Sequence, residues 1–362
     1  MSGRSLDDIR KDIDSVDHQL VDLLDRRTGL AKEVGAIKGR GGRPFFTPER
    51  EKLIFEKLES TQTKNLRPRH LKAIYREIIS AARDAEKPLS IAYWGPPGSF
   101  SELAALDVFG HSSNCMPVGS IAEVFQSVEQ FKADYGVVPI ENSTAGIVPE
   151  TLDMFPVTNV KICAETFLAI HHHLATQAES LDQIKRVYAG PQPAAQCRTW
   201  LKNNLPHAEI VDVTPTSKAA ALALQDPEAA AIANQAGADR VGLNILVPHI
   251  EDHSQNRTRF VVIGANEPAK TGSDKTSLLF NLRNRPGELY EVLGSFVRHS
   301  VNLLMIESRP AARATFEYIF YVDCAGHQTD ENVAAAIAEI RDRALETVVL
   351  GSYPSYDPNL NG

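Results

Sequence analysis

The sequence predicts a multidomain protein in three parts: an all-α arm, a two-lobed α/β body and a small α+β module at the end. Three observations predict it. Apolar residues step by three and four from Leu6 to Ile37 with no proline between Arg4 and Lys38, as one long helix requires. From 88 to 264, short β-rich runs alternate with helical stretches across Gly- and Pro-rich turns, which points to α/β layering. From 275 to 350 the order is βαββαβ. A chain of 362 residues accommodates two or three domains. Its four cysteines, Cys115, Cys163, Cys197 and Cys324, are scattered, which argues for reduced thiols and against a disulfide framework or a cysteine zinc site. MSGRSLDDIR carries no secretory pattern, and no apolar run approaches the roughly 18 residues of a membrane span. A cytoplasmic protein without membrane contact is expected.

The arm comes first. Its stripe is Leu6, Ile9, Ile13, Val16, Leu20, Leu23, Leu30, Val34 and Ile37, with one gap at Arg27. Gly39, Gly41, Gly42 and Pro44 supply the stop. Such a helix is about 50 Å long at roughly 1.5 Å per residue. Two shorter helices, about Pro48–Ser60 and Pro68–Glu86, are too short to cover it, so an intertwined homodimer is expected, with higher homo-oligomers left open. Residues 1–88 hold 19 of the 38 Lys and Arg but only 15 of the 46 Asp and Glu, a net of +4, and the remainder carries −12. A small anion suits this block better than nucleic acid, because its charges alternate in sign and its aromatics are only one Tyr and three Phe. Arg10, Arg26 and Lys38 flank the stripe by one residue. They either pack their stems on a solvated face or meet an anion held in the bundle.

The segments LDDIRKDID, LLDRRTGLAKEVGAIK and RPFFTPEREK resemble the all-helical chorismate mutase family. The resemblance implies that Arg10, Arg26, Lys38, Arg50 and Glu51 occupy chorismate-binding positions, with Glu86 where the family places Gln or Glu. The implied reaction is the pericyclic rearrangement of chorismate to prephenate. It needs a dianion held in a compact conformer and donors at an ether oxygen whose charge grows, here Lys38 and Glu86. Arginine forks suit the two carboxylates. A glutamic acid must be protonated to donate, so an acid-shifted mutase optimum is expected. Thr47 stands where many members carry Asp, which weakens a substrate hydroxyl contact.

The body begins after Lys87-Pro88. Leu89–Tyr93 is expected as a strand, followed by the turn Gly95–Ser101 and a helix from Glu102. Gly95 and Gly98 allow close backbone approach, and Ser99 and Ser101 add hydroxyls at an anion-binding entry. A helix Ile121–Gln130 precedes a strand Tyr135–Val138, and Asn142 and Ser143 follow as donors at a cleft edge, with Glu141 orienting the loop. Phe167–Leu174 is expected as a strand carrying His171, His172 and His173. Alternation puts His171 and His173 about 7 Å apart, but no neighbouring Cys, Asp or Glu completes a metal site, so no metal is expected and a hinge or surface role is. Tyr188–Trp200 and Val211–Ala219 repeat the strand–loop–helix pattern, offering Gln192 and Gln196, then Thr214, Thr216 and Ser217. Ala229–Ala233 is a small-residue strand. In Glu251–Gly264, a polar loop ending in Thr258 and Arg259 leads into a buried strand Phe260–Ile263. Parallel sheets with right-handed crossovers and a returning crossing predict a hinged, binding-protein-like pair of lobes.

GPPGSFS, GVVPIENSTAG, PQPAAQCRTWL, NRTRF and ESRP, in this order, resemble prephenate dehydratase, a fold similar to periplasmic binding proteins. The resemblance makes Thr258 the catalytic threonine, Phe260 a lining residue, and Ser99, Asn142, Ser143 and Gln196 prephenate-binding positions. Arg259 either holds a carboxylate or braces the loop. Gly190, where His is common, and Pro215, where some members have Glu, leave those positions without a role. The implied reaction expels hydroxide and CO2 from prephenate to give phenylpyruvate, driven by aromatisation and needing no cofactor.

In the last part, Lys275–Leu282, Val301–Ser308, Phe316–Asp323 and Val348–Leu350 are expected as strands, with helices from Asn284 to His299 and Asp330 to Leu345. This ferredoxin-like order resembles the amino-acid-binding ACT domain of the same enzymes. The resemblance implies an L-phenylalanine effector site between paired subunits, using Gly287, Leu289, Asn302, Leu303, Glu307 and Ser308. Glu288 and Tyr290 depart from the usual Gly-Ala-Leu-Val. The expected domains are 1–87, 88–267 and 274–353. The alternatives are a dehydratase with a non-catalytic helical dimerisation arm, and a two-lobed ligand-sensing protein.

Overall fold

In the computed structural model the described residues are 4–42, 44–213, 218–310 and 318–356. The chain forms two units: residues 1–90 with 109–114, and residues 91–108 with 115–362.

The first unit contains α1 (Leu6–Gly41), α2 (Pro48–Glu59) and α3 (Pro68–Glu86). Ser5 caps α1: its hydroxyl accepts the Asp8 N–H at 3.2 Å, and the Asp8 carboxylate accepts from Ser5 in return. The helix runs through Gly39 and Gly41 and stops only where Gly42 adopts φ 63°, because a left-handed residue is what ends it. Prolines at Pro48 and Pro68 start the next two helices, where a missing N–H is harmless. Gly35 is the only buried residue of α1, and a Cβ there would come within 3.1 Å of Glu86 Cα, so α3 lies tight against this turn. Every residue of the apolar stripe, from Leu6 to Ile37, is exposed on the chain.

The second unit holds three sheets. The first is built from β1 (Ser90–Trp94), β2 (Asn114–Val118), β3 (Tyr135–Asn142), β4 (Gly146–Ile147) and β5 (Lys161–Ala169), with α4 (Phe100–Phe109), α5 (Ile121–Glu129) and α6 (Pro149–Leu152). The second contains β6 (His173–Thr176), β7 (Arg186–Ala189), β8 (Glu209–Asp212), β9 (Ala229–Ala233) and β10 (Asn244–Val247). Its helices are α7 (Pro191–Gln196), α8 (Arg198–Asn204), α9 (Lys218–Leu224) and α10 (Gln235–Val241). The chain then returns as β11 (Arg257–Gly264) to lie between β3 and β5, giving orders β2-β1-β3-β11-β5 and β10-β6-β9-β7-β8. The third sheet comprises β12 (Asp274–Leu282), β13 (Leu303–Pro310), β14 (Tyr318–Ala325) and β15 (Glu346–Pro354), ordered β13-β14-β12-β15, with α11 (Glu288–Arg298) and α12 (Glu331–Arg343). One face of it packs on those helices through Leu278, Phe280 and Val322; the other joins the core of the first sheet through Leu279, Tyr321 and Tyr353.

Several expectations need correction. The first two sheets are mixed rather than parallel. β1 and β3, and β7 with β8 and β9, are parallel, but β11 runs antiparallel to both β3 and β5, and β6 antiparallel to β9 and β10. The strands flanking the two crossings between sheets are the antiparallel ones. β3 continues through Asn142, and β11 begins at Arg257, so Asn142, Thr258 and Arg259 sit in paired strands rather than loops. Polar residues hide such strands because alternation rules assume that polar means exposed, whereas these are buried and partnered. The three histidines do not share a strand: β5 ends at Ala169 and β6 starts at His173, so 170–172 form the crossing. Thr214, Pro215, Thr216 and Ser217 lie outside the described residues. Among the described residues, no helix is long and apolar enough to cross a membrane, and none of the four cysteines is in a disulfide.

Candidate active sites

Thr258 lies near the start of β11, 8 % exposed, opposite Asn142 of β3. The Asn142 amide orientation is settled by its neighbours. Its Oδ1 accepts the backbone N–H groups of Thr144 (3.0 Å) and Ala145 (2.9 Å), which can only donate. Its Nδ2 therefore faces the other way and donates to Thr258 Oγ1 at 2.8 Å and to Asn256 Oδ1 at 2.8 Å. Thr258 Oγ1 is thereby an acceptor, which leaves its own hydroxyl hydrogen to donate elsewhere. Ser143 closes the cluster: its Oγ accepts the Arg257 N–H, and its own N–H donates to the Arg257 carbonyl, both at 2.9 Å. Thr144 Oγ1 donates to Asn256 Oδ1 at 2.8 Å.

Two further elements approach from the second sheet. Gln196 Oε1, at the end of α7, lies 2.8 Å from His172 Nε2, and the His172 ring stands edge-on to Phe100 at 6.1 Å. Burial holds the His172 ring below its ordinary pKa, against the raising effect of Gln196 and Glu251. Ser99 accepts the Glu102 N–H at 3.3 Å, as a helix cap does. Beside it, Gly98 at φ 87° presents its carbonyl to Asn234 Nδ2 at 2.9 Å, and a Cβ there would meet Gly237 Cα at 3.1 Å. Only a glycine permits so close a contact between the segments of the two sheets. The structure thus joins Thr258, Asn142 and Ser143 directly. Gln196 connects to the Ser99 segment through His172 and Phe100. No contact among the described residues joins Ser99 or Gln196 to Thr258. Phe260 is buried, 3 % exposed.

The sequence leaves Arg259 with two roles open, and its contacts bear on the choice. Strand alternation turns it away from Thr258. It is 4 % exposed, with Nε 2.8 Å from Glu165, Nη1 2.6 Å from Asp323 of β14, and Nη2 donating to the Tyr353 hydroxyl at 2.9 Å. Burial alone would lower its pKa; Asp323, Tyr353 and Glu165 outweigh that and hold it well above the ordinary value. Its guanidinium is occupied by Glu165 of β5 and by Asp323 and Tyr353 of the third sheet, contacts that favour bracing β11 over holding a prephenate carboxylate.

In the first unit, Lys38 Nζ donates to Glu86 Oε2 at 2.9 Å and to the Phe45 carbonyl at 3.3 Å, with both side chains largely buried. Glu51 pairs with Arg83, which is 5 % exposed between the rings of Phe46 and Phe109 at 5.2 and 5.4 Å. Arg10, Arg26 and Arg50 are exposed. Arg10 and Lys38 are 28 residues apart on one helix, about 42 Å at roughly 1.5 Å per residue. One chain therefore does not gather these positions into one pocket.

In the third sheet, Gly287 caps α11 at φ 88°, and Leu289 packs on the helix-side core. Asn302 accepts the Ala325 N–H, and Leu303, Glu307 and Ser308 lie on the edge strand β13. Gly287 and Asn302 sit at opposite ends of α11.

Sequence reasoning missed Asn256, Thr144, Asn234 and Arg83, and singled out His172 without its contact with Gln196. The first two stand inside quoted motifs, but their role depends on a strand pairing over more than a hundred residues. Asn234 and Arg83 carried no signal in the sequence.

Three family models match in succession: chorismate mutase type II over residues 9–87, prephenate dehydratase over 91–268, and the ACT domain over 276–342. The bifunctional chorismate mutase/prephenate dehydratase of Aquifex aeolicus is 42% identical over 353 residues, covering 96% of this chain and 98% of that protein. That of Stutzerimonas stutzeri is 39% identical, covering 96% of each. A prephenate dehydratase from Arthrobacter aurescens, solved in complex with L-Phe, superposes with a TM-score of 0.69 at 35% identity, covering 74% of this chain and 91% of that one.

Proposed function

This chain belongs to the bifunctional chorismate mutase/prephenate dehydratase family, and we propose that it runs both reactions at separate sites under phenylalanine control. Residues 1–87 rearrange chorismate to prephenate, 88–267 convert prephenate to phenylpyruvate, and 274–353 form a ferredoxin-like effector domain. The protein is cytoplasmic, needs no cofactor, and acts on small dianions rather than nucleic acid or membranes.

The observation that carries the dehydratase reading is the Asn142–Thr258 hydrogen bond, which leaves the threonine proton to donate. A threonine hydroxyl is a weak acid, so its role is a positioned donor to the departing hydroxyl of prephenate. Ser143, Ser99 and Gln196 supply further donors for the carboxylates, Phe260 helps to exclude water, and the two lobes close on the substrate.

In the arm, Lys38 and Glu86 flank the ether oxygen of chorismate. Their contact at 2.9 Å opens to admit it. Arg26, Arg50 and Glu51 complete the pocket. The roughly 42 Å between Arg10 and Lys38 on a straight helix supports a shared pocket in which Arg10 comes from a second copy, and the exposed stripe from Leu6 to Ile37 supports the same homodimer. A Leu20→Lys variant is expected to sediment as a monomer and to lose mutase activity; a monomeric wild type would refute the pairing. Lys38→Gln is expected to lower mutase kcat by roughly 100-fold, with the dehydratase rate unchanged.

The same logic applies to phenylalanine. Gly287 and Leu289 are separated from Asn302 and Leu303 by the length of α11, about 16 Å. One effector pocket that uses both ends, with Glu307 and Ser308 beside it, draws on two copies. The exposed Leu304 and Ile306 of edge strand β13 favour such pairing.

Ultraviolet assays of chorismate loss and phenylpyruvate formation on the purified chain test the whole reading. Both activities, with phenylpyruvate formation inhibited by L-phenylalanine, are the expected result. Phenylpyruvate from prephenate but no consumption of chorismate would instead support a non-catalytic dimerisation arm.

A further inference from the structure

The two crossings between the first and second sheets meet in a cluster that neither proposed reaction uses. The outgoing crossing, 170–172, carries His171, and the returning segment after β10 carries His249 and Glu251. His171 Nδ1 lies 2.7 Å from Glu251 Oε1 and 3.1 Å from His249 Nδ1, and His249 Nδ1 lies 3.5 Å from the same Glu251 oxygen. The three atoms form a triangle with edges of 2.7, 3.1 and 3.5 Å, made of two nitrogens and one carboxylate oxygen. Hydrogen bonding alone serves this arrangement poorly. Two imidazole Nδ1 atoms and one carboxylate oxygen converge on one point, and each proton there satisfies only one contact. Three atoms so spaced lie on a circle of roughly 1.8 Å radius. An ion at the roughly 2.0–2.1 Å of a zinc–nitrogen or zinc–oxygen bond would therefore sit just out of their plane, with a fourth tetrahedral position facing outward.

The surroundings hold the three groups in place. Glu251 Oε2 accepts the His172 N–H at 2.9 Å, which fixes the carboxylate with its other oxygen toward the histidines. His249 adopts φ 55°, a left-handed conformation that non-glycine residues rarely hold, and its N–H donates to His173 Nδ1 at 3.1 Å. The Ile250 N–H donates to the His172 carbonyl at 2.8 Å, tying the crossings side by side. The side chains of His171 and His249 are 38% and 58% exposed, so an ion can reach them.

We propose that His171 Nδ1, His249 Nδ1 and Glu251 Oε1 bind a divalent transition-metal ion of the zinc class, clamping the two interlobe crossings together. Two imidazoles and a carboxylate are a donor set that suits zinc, and the third ligand comes from a segment about eighty residues from the first, so occupancy tightens the hinge.

The test uses the full chain after chelator treatment, with Zn2+ and Co2+ as probes. The expected results are one tightly bound Zn2+ per chain by calorimetry, an intense four-coordinate Co2+ absorption spectrum, and a rise in unfolding temperature on Zn2+ addition. His249→Asn suits the backbone, because Asn tolerates the left-handed region. It is expected to weaken Zn2+ binding by at least about tenfold and to abolish the Co2+ spectrum. His171→Gln, at a half-exposed position, is the second variant and should do the same. Zn2+ affinity unchanged in both variants, or a weak octahedral Co2+ spectrum in the wild type, would overturn the proposal in favour of loose binding by surface histidines.

Discussion

Thr258→Val is expected to lower dehydratase kcat by roughly 100- to 10,000-fold, the range spanned by a positioned proton donor, while chorismate loss proceeds at the wild-type rate. Valine keeps the β-branched shape in strand β11, so the loss is chemical rather than structural. The local network survives it. Asn142 Nδ2 retains Asn256 Oδ1 at 2.8 Å as an acceptor, and Asn142 Oδ1 retains its two backbone donors. Thr258→Ser restores a hydroxyl and should recover part of the rate. Asn142→Ala should also reduce kcat, because the Thr258 hydroxyl is then free to turn and donate in the wrong direction. Paired assays of both reactions on each variant decide the matter. If the two activities fall together in Thr258→Val, the sites are not independent.

Arg259→Met is expected to destabilise the second unit by about 3–5 kcal/mol, the usual cost of removing one partner from a buried charge network. The side chain is 4 % exposed, and its removal takes a cation from two buried carboxylates. Asp323 would keep the Ser277 hydroxyl at 2.5 Å, and Glu165 would keep Lys275 at 2.9 Å and the Tyr356 N–H at 3.1 Å. Asp323 loses its only cation among the described residues, so it carries most of the penalty. Denaturant unfolding measures the loss, and dehydratase activity should fall with it, because Arg259 adjoins Thr258 on β11. An Asp323→Asn change in the Arg259→Met background is expected to return part of the stability, since the two residues interact directly. Wild-type unfolding of Arg259→Met would show the network to be energetically idle. The same contacts join the effector sheet to the strand that carries Thr258, so loss of phenylalanine inhibition in a folded Arg259 variant is the accompanying functional readout.

Long, strongly patterned elements were legible in the sequence. Helix α3 has the expected ends at Pro68 and Glu86, and β9 spans the expected Ala229–Ala233, because proline and helix periodicity in one, and a bounded apolar run in the other, are local signals. Thr258, Asn142 and Ser143 were identified through their motifs and do meet in space. Less legible were buried polar strands. Arg257–Arg259 has the composition of a loop, yet it pairs with β3 and β5 because Asn142, Glu165 and Asp323 satisfy its polar groups. The histidine stretch was partly illegible for a related reason. No acid neighbours it in sequence, and Glu251 reaches His171 from the returning crossing together with His249.

By itself the amino-acid order determined the three-part plan, the apolar stripe of the arm, and which short motifs carry hydroxyl and amide groups. These follow from spacing along the chain, where neighbours a few residues apart set periodicity, caps and turns. Tertiary structure alone decided which way each group faces. It set Arg259 between two buried carboxylates, aimed the Asn142 amide so that Thr258 keeps its proton, and brought His171 to His249 and Glu251. The physical reason is that hydrogen bonds and ion pairs act over about 3 Å in space, a separation that sequence distance does not encode.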